Sequence, residues 1–296
     1  GFIGSHLVPK LLEAGHHVRV LSRSPGKLPD QWRDRVQIAQ GDATDDGDVS
    51  SALEGVDVLY YLLHSMDGRG DFVARDRTLA QRFAKLAKQA GVGRIVYLSG
   101  LHPEGELSPH LASRVEVGDI LLGSGVPAAV LQAGVVLGAG SASFDMLRHL
   151  TERLPAMVAP KWLDNHIQPI AIDDVVHFLV RASELPPEVN RTFDLGGPDV
   201  LTYRDMMSRY AELAGLLPRT IVTVPVLTPG LASHWVGLVT PIDSGIARPL
   251  VGSLLHDAVR SEFDVEEVLG EPDGGVAGFD EATRAALADI DPKLWS

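Results

Sequence analysis

Gly1-Phe2-Ile3-Gly4-Ser5-His6-Leu7 opens the chain and runs straight into an amphipathic segment that ends at Gly15. This is the second half of a Gly-x-x-Gly-x-x-Gly turn. Glycines at this spacing let a backbone approach a pyrophosphate, and the helix that follows turns its unpaired N–H groups toward the anion. The same spacing also occurs at ordinary helix starts packed on a strand. Context favours the dinucleotide reading, because a helix follows Gly4 and then a strand that ends in Ser22-Arg23-Ser24. The strand that should lead into the turn, and the first glycine, are not in the sequence. The natural protein is therefore expected to be longer at its N-terminus. The fragment is expected to bind cofactor poorly and to leave the neighbouring strands with unpaired edges or force them together.

Outward from the turn, strand-like and helix-like stretches alternate. His17–Leu21, Val36–Ala39, Val56–Leu62, Arg94–Ser99 and Ala128–Gln132 read as strands. Phe2–Ala14, Asp48–Leu53, Asp71–Ala90 and Leu111–Leu122 read as helices, with Gly91 where a C-terminal cap belongs. Alternation of this kind predicts an α/β fold: a Rossmann-like doubly wound parallel sheet, here lacking its first strand, with a smaller C-terminal substrate-side region. Farther along, Phe144–Arg153 reads as a helix. Asp173-Asp174 read as an N-cap, Thr192–Leu195 as a strand, and Thr202 as the cap of a helix with Asp205 in the capping-box position. Beyond Pro218 come a Pro-interrupted apolar stretch, a linker over residues 270–276 and a short acidic helix near Asp280–Ala288. The expected organisation is an NAD(P)-binding core over 1–140, a substrate-side region with late sheet elements over 141–215, and a C-terminal extension over 216–296 that leaves open a further domain beyond it.

The chain has 296 residues, 45% of them hydrophobic, and a formal net charge of -13. Acidity of that order argues against binding nucleic acid through its phosphates, which needs clustered Lys and Arg. The absence of cysteine removes disulfides, thiolate zinc sites and thiol nucleophiles. No apolar run reaches the roughly 18–20 residues of a membrane span. No histidine pair at helical metal-site spacing has carboxylate support, so no metal is expected. A cytoplasmic location fits this composition.

Strand tips carry the candidate cofactor residues, because ligands of open α/β sheets sit at the carboxyl ends of the strands. Gly1, Phe2, Ile3 and Gly4 form the turn. Arg23 follows Gly4 by 19 residues, where an acidic residue would bind the ribose hydroxyls of NAD. Arginine suits the 2′-phosphate of NADP, with Ser22 and Ser24 as further donors, so NADP(H) is expected over NAD(H). Arg23 also reads as a solvated surface arginine. Asp42 and Ala43 fall beside the adenine, or form a plain Asx turn. Leu63 and His64 end the fourth strand of the expected order, and His64 reads equally as a polar loop residue.

Several stretches together resemble the short-chain dehydrogenase/reductase superfamily, in its atypical, NmrA-like NAD(P)H-binding branch. They are Gly1-Phe2-Ile3-Gly4, Val20-Leu21-Ser22-Arg23, Gly41-Asp42-Ala43-Thr44-Asp45, Arg94-Ile95-Val96-Tyr97-Leu98-Ser99-Gly100, Leu122-Gly123-Ser124-Gly125-Val126-Pro127 and Ile167–Val175. Phe193–Tyr203 matches a bacterial subgroup whose members often carry a further C-terminal domain. The resemblance implies a Tyr-x-x-x-Lys pair at the start of the helix after the fifth strand, and a serine at that strand's end. Here Ser99 is present, but His110 stands at the tyrosine position and Arg114 at the lysine position. Arginine cannot cycle a proton, whereas His110 is a general-acid candidate near neutral pH or a solvated residue after Pro109. By the same analogy Ser141, Ser143 and Phe144 would line the substrate cleft. Three functions follow: an oxidoreductase on a small carbonyl or quinone-like substrate, an NADP(H)-sensing regulatory protein without turnover, and a sugar-nucleotide epimerase or dehydratase. A protein partner or a homodimer is left open.

Overall fold

The computed structural model describes residues 1–64, 71–103, 105, 107–224, 250–252, 254–288 and 290. The first half alternates as the sequence predicts: α1 (Phe2–Glu13), β1 (Arg19–Ser22), α2 (Asp30–Arg33), β2 (Gln37–Gln40), α3 (Asp46–Leu53), β3 (Val58–Tyr61), α4 (Phe72–Ala90), β4 (Arg94–Gly100), α5 (Pro109–Leu122) and β5 (Ala128–Ala133). The second half holds β6 (Val136–Leu137), α6 (Ala142–Arg153), β7 (Ala156–Pro160), β8 (His166–Ile167), β9 (Ile170–Ala171), α7 (Ile172–Ala182), β10 (Arg191–Leu195), β11 (Leu201–Thr202), α8 (Tyr203–Leu213), β12 (Thr220–Val224), α9 (Val265–Leu269) and α10 (Phe279–Leu287). Among the described residues no helix is long and apolar enough to cross a membrane. The apolar stretch expected beyond Pro218 lies mostly outside the described residues.

Local chemistry sets the helix boundaries. The Asp71 side chain accepts from the Ala74 N–H, and Gly91 ends α4 at φ 73°, a left-handed turn that costs glycine little. α5 starts two residues before the predicted Leu111, because Ser108 caps it and Pro109 fits the first turn, where no N–H is needed. Thr202 and Asp205 form the predicted capping box. Asp173 and Asp174, by contrast, do not cap α7. Ala171 occupies that position, and both carboxylates lie in the first turn, where the helix dipole favours them.

The main sheet runs β10-β5-β4-β3, all parallel, and β1-β2 form a separate parallel pair. Side chains alternate across β4. Ile95 and Tyr97 pack with α3, α4 and α5, through Val49, Phe83, Ala87 and Leu121. Val96 and Leu98 pack with α1 and α7, through Leu7, Leu11, Val175 and Leu179. Helices thus cover both faces, as the predicted doubly wound sheet requires. Among the described residues no pairing joins β1 to β3, and the expected strand order places this break at the position of the first strand. The burial pattern marks the same break. β4 and β5 are buried almost throughout, while β1 is half-buried along its length and β3 at all but Tyr61. The two strands keep unpaired edges rather than closing on each other.

A third apolar cluster joins α6, α8 and α10 through Phe144, Leu147, Tyr210, Met206 and Phe279. Side chains of the sheet half clasp the C-terminal segment by its backbone. Asp194, 3% exposed on β10, accepts from the Ser261 N–H at 2.8 Å, the Ser261 hydroxyl at 2.9 Å and the Glu262 N–H at 3.1 Å. Asp174 accepts from the Ala277 N–H and Asp199 from the Phe279 N–H. Gln168 accepts from the Arg260 N–H while its amide donates to the Gly197 carbonyl.

The break in the sheet predicts unequal opening. Hydrogen exchange is expected to release the amides of β1 and β3 about tenfold or more faster than those of β4 and β5. Equal protection across the four strands would show that the break is closed in solution.

Candidate functional site

The carboxyl ends of β3, β4 and β5 meet the first turn of α5 and form one lip. Leu63 and His64 follow β3, and Leu63 is 39% exposed, an apolar side chain left open to solvent at a strand tip. His102 follows β4, Gln132 stands near the end of β5, and His110 and Arg114 come from α5.

Arg114 is anchored. Its Nη2 donates to the Leu98 carbonyl at 2.5 Å, and its guanidinium lies over the Tyr97 ring, 5.9 Å from the centroid. Gly100 packs beside it and leaves room for Leu111, since a Cβ there would fall 3.0 Å from Leu111 Cδ2. Beside this fixed cation stand two imidazoles. Burial, then the Arg114 charge, then His64 push the His110 pKa down to about 3. Burial, then Arg114, bring His64 down to about 4, against an opposing hydrogen bond to the Leu62 backbone. Each ring also keeps an edge open to solvent, His64 more than His110. It is the direction of the shifts, toward neutral imidazole near pH 7, that governs the chemistry. A neutral ring offers an N–H hydrogen bond.

Ser99 is not in the lip. It is 2% exposed, and its hydroxyl donates to the Arg114 carbonyl at 3.4 Å inside the seam between β4 and α5. Phe144 and Ser141 depart from the expected cleft lining as well. Phe144 is fully buried in the third cluster, and the Ser141 hydroxyl donates to the Val136 carbonyl. Sequence reading missed His102 and Gln132. Their side chains meet at 3.1 Å across 30 residues of chain, and only the position of Gln132 at a strand end hinted at it.

At the other end of the candidate cofactor path, α1 begins at Gly1 with no side-chain cap and no acidic residue in its first turn. Its first N–H groups and positive dipole end suit an anion. A Cβ on Gly1 or Gly4 would meet nothing within 4 Å. Arg23, with its side chain 78% exposed, stands 3.9 Å from Asp42. The Asp42 carboxylate is held below its usual range by hydrogen bonds from the Thr44 backbone and hydroxyl, with Arg23 adding less. The Ser22 hydroxyl accepts from the Ser24 N–H. Ala43 packs at the edge of the α3–α5 core.

The chain resembles several known proteins. Residues 1–125 match the family model for NAD(P)H-binding domains. Over 109 residues the chain is 31% identical to a 3 beta-hydroxysteroid dehydrogenase/Delta 5-->4-isomerase of Mycobacterium tuberculosis, a stretch that spans 33% of this chain and only 29% of that relative. A ceramide reductase of Caulobacter vibrioides is 26% identical over 295 residues, 94% of this chain and 89% of that one. Among solved structures, an NADPH-dependent quinone oxidoreductase of Escherichia coli in complex with NADPH superposes with a TM-score of 0.74 at 18% identity, over 96% of this chain and 95% of the other. A nucleoside-diphosphate-sugar epimerase of Staphylococcus aureus superposes at 0.75 with 15% identity, over 96% of each chain. The N-terminal 125 residues are therefore similar to an NAD(P)H-binding domain, and the chain as a whole shares the fold of these solved structures.

Proposed function

We propose that the protein is an NADP(H)-dependent reductase of a neutral carbonyl or quinone-like substrate. The observation that carries this reading is the lip itself: a half-buried arginine fixed to the sheet, with two imidazoles held toward the neutral form beside it at the carboxyl ends of the parallel strands. Arg23 at the tip of β1 supports NADP(H) over NAD(H), with Asp42 and Ala43 beside the adenine and Leu63 and His64 beside the nicotinamide half. When bound, the reduced nicotinamide supplies the hydride.

The chain's own part is to hold the carbonyl and manage its proton. The N–H of neutral His110 donates to the carbonyl oxygen and polarises it, as a preorganised donor aimed at developing charge. As the oxygen becomes an alkoxide, His110 releases that proton to it while its other ring nitrogen takes one from water. Arg114 keeps its proton throughout and acts on the rings by its field. Ser99 positions α5 by holding the Arg114 carbonyl.

A cofactor-sensing protein without turnover is the second reading, favoured by the loss of the Tyr-x-x-x-Lys pair. The epimerase reading is weaker. Its substrates carry a diphosphate, and the arginines of the second half are largely committed: Arg148, Arg181, Arg191, Arg204, Arg209 and Arg260 each lie against carboxylates.

Three measurements follow. With NADPH and a panel of quinones and aldehydes, absorbance is expected to report cofactor oxidation that His110→Ala lowers about 100-fold. Tight NADPH binding with no oxidation of any substrate would instead leave the sensing role. Arg23→Asp is expected to weaken NADPH about tenfold or more while sparing NADH, because only the former carries the 2′-phosphate; equal loss would remove Arg23 from that site. Finally, the single-turnover rate is expected to stay flat from about pH 5 to 8, since both imidazoles have already lost their protons there. An imidazolium acid of ordinary pKa, about 6.5, would make the rate fall as pH rises through that value, and such a fall would refute the neutral-ring mechanism.

A further inference from the structure

β5 is buried at every residue but Gln132, so the strand reaches solvent only at its carboxyl end, on the lip. Gln132 pairs in register with Ser99, whose hydroxyl is bonded to α5, and so stands one strand over from the seam that presents His110. Its carboxamide is not free to turn. His102 Nδ1 lies 3.3 Å from the Pro103 carbonyl, which can only accept, and this contact assigns the ring proton of the neutral imidazole to Nδ1. The lone pair of Nε2 then faces the Gln132 amide nitrogen at 3.1 Å, which must donate. One end of the carboxamide is thereby fixed, and its Oε1 has no partner among the described residues.

We propose that His102 and Gln132 form a specificity-determining pair that reads a hydroxyl or amide N–H next to the reacting carbonyl. The inference rests on the reductase reading and narrows its substrate class. His102 holds the carboxamide, and Gln132 Oε1 accepts from the neighbouring donor while His110 donates to the carbonyl oxygen. The preferred substrate is therefore an uncharged hydroxy- or amido-ketone rather than a plain ketone or a keto acid, whose carboxylate would meet the Gln132 oxygen. A site oriented in this way rejects an analogue lacking the donor, because the oriented acceptor is then left unpaired.

The test compares benzoin with deoxybenzoin, which lacks only the hydroxyl, as substrates of the NADPH-loaded protein. Wild type is expected to favour benzoin in kcat/KM by about tenfold or more. Gln132→Met should bring this ratio close to one, and His102→Ala should bring it partway, since the carboxamide can then rotate. General damage to the fold lowers both substrates and leaves the ratio, so the ratio reports recognition. A wild-type ratio of one, or a ratio that Gln132→Met leaves intact, would overturn the proposal. Should neither ketone be reduced, saturation-transfer NMR on the NADP⁺ complex gives the same comparison as binding. A benzoin preference abolished by Gln132→Met would uphold the pair even as the reductase reading fails, and no preference would overturn the pair as well.

Discussion

A single buried carboxylate, Asp194, decides how the C-terminal segment lies against the sheet. It projects from β10 and receives three hydrogen bonds from Ser261 and Glu262. Hydrogen bonds to a charged acceptor contribute about 1.5–3 kcal/mol each, and a buried carboxylate left without them would be costly. The neighbouring contacts depend on this placement. With the chain pinned at Ser261, the Arg260 N–H reaches Gln168, and Arg191 meets both Glu262 and Asp264. Gln168 in turn binds Gly197, and a Cβ on Gly197 would fall 2.6 Å from the Pro169 carbonyl, so only glycine fits there. The loops after β5 and β10 are fixed from behind by this arrangement, and the lip of the site rests on the same strands.

Burial and one fixed charge set the state of the two imidazoles beside Arg114. Burial disfavours a charged ring and a cation disfavours a second cation, so both act on His110 and His64 in the same direction. The rings are held toward the neutral form across the neutral range, where each has one N–H to donate and one lone pair to accept.

Much of the fold was legible in the sequence because its signals are local. Asp71 and Gly91 mark the ends of α4, Thr202 and Asp205 mark the start of α8, and the continuous apolar run Ile95–Leu98 marks a strand buried on both faces. What stayed hidden depends on contacts between distant residues. Asp174 looks like a cap until Ala277 is seen to donate to it. The pairing of β7 with β12 has no local signature. Around the lip, the placement of His110 and Arg114 on the helix after β4 was readable from the sequence. The direction of the Ser99 hydroxyl and the depressed pKa values were not, because both follow from how α5 packs on β4.

The clasp on the C-terminal segment reads backbone rather than side chains. Asp194, Asp174, Asp199 and Gln168 take the main-chain N–H groups of Ser261 and Glu262, Ala277, Phe279 and Arg260. Exchanging side chains along that segment therefore leaves these contacts in place. Proline is the exception, because it has no N–H to give.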